Sequence, residues 1–75
     1  MWYELNYYHE GVNFDVQKTL AISKDVNKIK DFCNKEFQTE LIWKYNKEKI
    51  TAVFGSYRNN TILTIRPIEK LHILE

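Results

Sequence analysis

The sequence predicts one α+β domain of order ββαβββ, an antiparallel sheet with a single helix packed on one face. Three observations carry that expectation. One segment has apolar residues at helical spacing, the flanking segments alternate apolar and polar residues, and turn-forming residues separate them.

In chain order, Trp2 to Tyr8 is dense in aromatics, and an extended backbone places Tyr3, Leu5 and Tyr7 on one face. His9-Glu10-Gly11-Val12-Asn13 suits a hairpin loop through its Gly and Asn. A second strand is expected within Phe14 to Ile22, where Phe14, Val16, Leu20 and Ile22 alternate and Lys18 interrupts the apolar row.

Ser23 is placed to cap a helix, and Asp25 to favour the positive end of its dipole. The helix is expected from Lys24 to about Gln38. Val26, Ile29, Phe32, Cys33 and Phe37 form its apolar stripe, and Asp31–Lys35 an i,i+4 pair.

Two linked hairpins complete the chain. Leu41 to Tyr45 reads as a strand, Asn46-Lys47-Glu48-Lys49 as its turn, and Ile50 to Tyr57 as the next strand. Asn59-Asn60 tolerates the left-handed conformations of a tight turn, and Thr61 to Arg66 is β-branched. Pro67 cannot donate to a ladder, so the last strand ends there or lies at an edge. Pairing Tyr45 with Ile50 and Arg58 with Thr61 collects Leu41, Trp43, Tyr45, Ile50, Ala52, Phe54, Leu63 and Ile65 on one face. That surface suits the helix stripe, and a slip of one residue in either strand scatters it.

Composition bounds what such a domain does. Its 75 residues lie near the lower limit for a self-sufficient core. A single cysteine, Cys33, forms no intrachain disulfide, and with His9 and His72 far apart there is no metal-ligand spacing, so no cofactor is expected. The net charge of +1 counts against an acidic DNA mimic and against a strongly basic nucleic-acid binder. The 44% apolar content counts against disorder, and no apolar run spans a bilayer. The N-terminal residues lack the basic start and apolar stretch of a signal peptide, so a cytoplasmic location away from membranes is expected, where Asn59-Asn60-Thr61 is no glycosylation site. Lysine outnumbers arginine, represented only by Arg58 and Arg66, and with abundant Asn and Ile this points to an A+T-rich coding source.

The opposite sheet face is the candidate binding surface. The same register places Ile42, Lys44, Thr51, Val53, Gly55, Tyr57, Ile62, Thr64 and Arg66 there. A solvated face is mostly polar, whereas an apolar centre with an aromatic and basic border resembles an interface. Self-coverage by Leu71, Ile73 and Leu74 is the competing reading. The expected partner-binding residues are Lys44, Val53, Tyr57, Arg58, Ile62 and Arg66, with Lys44 and Arg66 flanking Thr51 and Val53.

The reading is therefore a non-enzymatic interaction protein with a protein partner or as a homodimer. An inhibitor of a host protein, carried by a phage or mobile element, is its most concrete form. The alternative is an oligomeric nucleotide or nucleic-acid module, in which Trp2, Tyr3, Tyr7 and Tyr8 stack bases beside lysines. An enzymatic reading would need His9 with Glu10, or His72 with Glu69, as acid–base pairs. Cys33 on the apolar stripe reads as a structural thiol.

Overall fold

A computed structural model describes residues 1–56 and 59–68. Strands β1 (Trp2–Glu10) and β2 (Asp15–Ser23) precede helix α1 (Val26–Phe37), and β3 (Lys44–Asn46), β4 (Lys49–Ser56) and β5 (Asn59–Ile68) follow it. All pair antiparallel in one sheet of order β2-β1-β5-β4-β3. The ββαβββ α+β fold is thus the one predicted. The last strand lies at the centre of the sheet, between the first strand and β4.

The core follows from alternation on one side of this sheet. Leu5, Leu63 and Ile65 point to the helix and are buried with Ile29 and Cys33 of α1, and Ala52 is buried beside them. Each fully buried Leu or Ile contributes roughly 2 kcal/mol through the hydrophobic effect. Tyr3, Tyr7, Leu41, Trp43, Ile50 and Phe54 pack around this cluster, half-buried. Tyr7, Phe37 and Phe54 form a run of ring contacts at 6.0 and 5.4 Å between centroids.

Several boundaries differ from expectation, each for a local reason. His9 and Glu10 belong to β1, and the loop is Gly11–Phe14, closed by Gly11 N donating to Phe14 O at 3.1 Å. A Cβ on Gly11 would stand 2.5 Å from that oxygen, which explains the glycine. Phe14 lies in this loop, exposed, and starts no strand. The alternation of β2 breaks at a bulge. Leu5 pairs with Ala21 but Asn6 with Thr19, so Leu20 is an extra residue. Leu20 and Ala21 both pack on the core, and Ile22 turns to the opposite face, half exposed.

Asp25, not Ser23, caps α1, its carboxylate accepting from Asn27 N at 2.9 Å. Ser23 Oγ instead accepts from Asp25 N, which shapes the turn into the helix. The helix ends at Phe37, where Gln38 takes a left-handed φ of 48° and donates to Asn34 O. Among the described residues the ion pair formed is Arg66–Glu4, and Asp31–Lys35 does not close.

Residues 41–43 are not strand, and only Lys44–Asn46 joins the sheet. Tyr45 pairs with Ile50 as expected, and the ladder continues to Asn46↔Lys49 around a two-residue turn. Tyr45 is not core, being 68% exposed. The expected Arg58–Thr61 pairing is also replaced. Ser56 pairs with Asn59 and Gly55 with Asn60, so both asparagines are strand residues. Gly55 takes a φ of +121°, and a Cβ there would lie 2.3 Å from Asn59 O. Pro67 lies within β5, but the β4 ladder ends at Ile50↔Ile65, so only β1 flanks it there. The missing N–H is tolerated at such a local edge.

Candidate interaction surface

Strand alternation fixes what the sheet presents away from α1. From β2 to β3, one row across the strands reads Thr19, Asn6, Thr64, Thr51 and Lys44. The next row reads Gln17, Tyr8, Ile62 and Val53. Toward the other end lie Ile22, Glu4 and Arg66, then Trp2 and Ile68. Among the described residues none on this face reaches the burial of the core, and Val53 is 60% exposed. Ile42 is likewise exposed, between the core-packed Leu41 and Trp43.

Three of the sequence-predicted binding residues come together here. Val53 and Ile62 are cross-strand neighbours, and Lys44 stands opposite Thr51, itself opposite Thr64. Trp43 and Tyr45, the chain neighbours of Lys44, are held by Lys30 of α1. The Lys30 ammonium donates to the Tyr45 hydroxyl and lies over the rings of Tyr45 and Trp43, 4.7 and 5.9 Å from their centroids. This cation–π clamp ties the short β3 to the helix.

Arg66 shares the face but does not flank Val53. The true register sets Val53 against Ile62, four residues before Arg66. Arg66 Nε instead donates to Glu4 Oε1 at 2.7 Å. That guanidinium holds the Glu4 carboxyl below its ordinary range, helped by the Asn6 amide nearby. Asn6 Oδ1 accepts from Thr19 Oγ1 at 3.2 Å, whereas its buried Nδ2 has no partner of hydrogen-bond geometry among the described residues. Tyr57 and Arg58 lie outside the described residues, as do Leu71, Ile73 and Leu74.

Tyr8 was missed as a member of this surface. Its hydroxyl donates to Asp15 Oδ2 at 2.8 Å, which raises the phenol pKa. The signal for it existed. Placing Tyr3, Leu5 and Tyr7 in the core sends Trp2, Glu4, Asn6 and Tyr8 to the other side. What was lacking was the knowledge that β5 joins β1 to β4 in one sheet.

The alternative chemistries find different surroundings. His9 faces the helix side, where a 2.9 Å hydrogen bond joins its Nδ1 to Thr61 Oγ1 and its ring stacks on Tyr7. Glu10, the next strand residue, points to the opposite face, so these two do not form a pair. The second proposed pair, His72 and Glu69, lies outside the described residues. Cys33 is fully buried, and desolvation pushes its thiol up to about 11. Tyr3 and Tyr7 pack on the core, while Lys24 lies over the Trp2 ring at 5.1 Å. Among the described residues no three His, Cys, Asp or Glu side chains converge as a metal site, and no helix is long and apolar enough to cross a membrane.

Comparisons with protein-family models, with curated proteins and with solved structures return no match.

Proposed function

We propose that this protein is a non-enzymatic interaction module that works by burying the open sheet face against a protein partner. The observation that carries the reading is the adjacent Val53 and Ile62, with Tyr8 beside them and Lys44 at the margin, on a face more exposed than the core side. Removing such apolar area from water is the usual driving force of association, and a polar border supplies orientation. The row Thr19, Asn6, Thr64 and Thr51 offers short hydroxyl and amide groups that accommodate a partner's polar atoms.

The partner class we favour is a host protein whose activity is blocked by occlusion. Support for that narrower reading comes from the small domain and the A+T-rich bias of its residues. Cytoplasmic action away from membranes belongs to the same proposal.

Val53→Lys tests the reading. The substitution places a charge at the centre of the face, so partner capture is lost while thermal unfolding moves by no more than about 0.5 kcal/mol, as for a surface position. Collapse of the fold would identify the face as internal core and refute the proposal. Nucleobase absorbance copurifying with the wild type, and lost in the variant, would favour the nucleotide-binding alternative instead.

A further inference from the structure

We infer that, in the absence of a host protein, this face is occupied by a second copy of the chain, in a face-to-face sandwich about a twofold axis parallel to the strands and passing over β5. The inference rests on the interaction-face reading and names what covers the face until a host protein displaces it.

Charge decides the geometry. Of the strand residues on this face, Glu4 and Glu10 of β1 and Asp15 of β2 are acidic, whereas Lys44 of β3 and Lys49 of β4 are basic. Arg66 on the central β5 is bonded to Glu4. The strand residues are therefore divided across the sheet, acidic toward one edge and basic toward the other, although Lys24 over the Trp2 ring adds a cation on the acidic side. Two sheets stacked with roughly aligned strands admit two twofold arrangements. An axis across the strands lays each strand on its own copy, acid against acid. An axis along the strands lays β1 and β2 on β4 and β3 of the second copy, so acidic strands meet basic ones, while Arg66 on the axis faces its own copy with Glu4 bonded to each.

The second arrangement also matches the apolar row. With the axis over Ile62, that side chain meets Ile62 of the second copy, and Tyr8 meets Val53 of the second copy. In the flanking rows Glu4 comes opposite Lys49, and Thr19 opposite Lys44. Asn6 comes opposite Thr51 of the second copy. Each contact off the axis occurs twice, as an isologous interface requires, and Ile62 meets its own copy once.

Area sets the strength. Four strands of eight to ten residues and the three-residue β3, about 4.8 Å apart, present on the order of 500 Å² per copy. A pair buries about 1,000 Å², at the lower end for a specific interface. The expected dimer is weak and concentration-dependent.

Sedimentation velocity on the full chain, from low micromolar to millimolar concentration, tests this. The wild type should shift from monomer to dimer. Val53→Lys should remain monomeric, and Lys49→Glu, which sets like charges together, should raise the dissociation constant about tenfold. Lys49 is exposed, so its variant decides the matter even where Val53→Lys unfolds. A wild type monomeric throughout overturns the second copy. The interaction-face reading then survives only if Val53→Lys still abolishes capture of another protein. A dimer indifferent to both substitutions uses another surface and overturns the inference.

Discussion

Gly55 is the residue where the backbone tolerates least. At φ +121° it occupies a region that L side chains rarely adopt, and forcing alanine there costs about 1–3 kcal/mol. Space makes matters worse. The added Cβ would lie 2.3 Å from Asn59 O, 3.0 Å from Asn60 Cα and 3.2 Å from Asn59 C. These are backbone atoms of the paired strand, so relief means pushing β5 away from β4. The Gly55↔Asn60 and Ser56↔Asn59 pairs would loosen, and each hydrogen bond lost costs about 1 kcal/mol net. Alanine recovers about 0.4–1 kcal/mol by stiffening the unfolded chain. The balance is a destabilisation of about 3 kcal/mol.

That loss is large here, because a domain of this length is stable by only about 4–11 kcal/mol. Urea unfolding followed by far-ultraviolet circular dichroism reads it directly. With a slope of about 1 kcal/mol per molar, the midpoint of Gly55→Ala should fall by about 3 M or the variant should begin partly unfolded. Gly11→Ala is the internal control. Its Cβ also meets a carbonyl, Phe14 O at 2.5 Å, but Phe14 lies in an exposed loop that is able to retreat. Its cost should be about 1 kcal/mol. Equal effects at the two glycines, or a Gly55→Ala effect below about 0.5 kcal/mol, would refute the argument from positive φ and ladder rigidity.

Two further predictions concern the helix and its buried thiol. Asp25→Ala should cost about 1 kcal/mol, measured by the same unfolding curves, because it leaves Asn27 N uncapped; Ser23→Ala should cost less, since Ser23 bonds only the turn. Cys33 should resist a thiol reagent at mildly alkaline pH until the chain unfolds, so that labelling follows unfolding rather than collision. With the folded pKa about 11 against an ordinary 9.0, the unfolded state gives up its proton first, and stability should fall as pH rises between those values. Cys33→Ala should flatten that part of the stability profile.

The helix was legible because its signal is local and repeated. Val26, Ile29, Cys33 and Phe37 recur at helical spacing, and all four pack on the core. Its cap was not, because Ser23 and Asp25 are both good capping residues and only the backbone path selects the second. The bulge at Leu20 was equally silent, since nothing in the alternation of β2 marks where one extra residue enters. Tyr45 fell on the predicted face but outside the helix footprint, where Lys30 reaches its hydroxyl.

The β4–β5 hairpin shows which errors matter for a surface. Expecting the turn at Asn59-Asn60, when Asn59 already pairs with Ser56, moved every partner on β5 by four positions, an even number. An even shift preserves the face of each residue and changes only its neighbours. The core residues Ala52, Leu63 and Ile65 were therefore identified correctly, and so was the membership of Lys44, Val53, Ile62 and Arg66 in the opposite face. Adjacency was not. Arg66 was expected beside Val53 and is instead bonded to Glu4, a residue of a strand whose neighbours no local pattern could name. The separation of acidic from basic charge depends on the strand order β2-β1-β5-β4-β3, which in turn is set by non-local pairing. A sequence of this kind thus discloses which side chains share a surface before it discloses how that surface is charged, and it is the charge that selects between the two ways a second copy can sit on it.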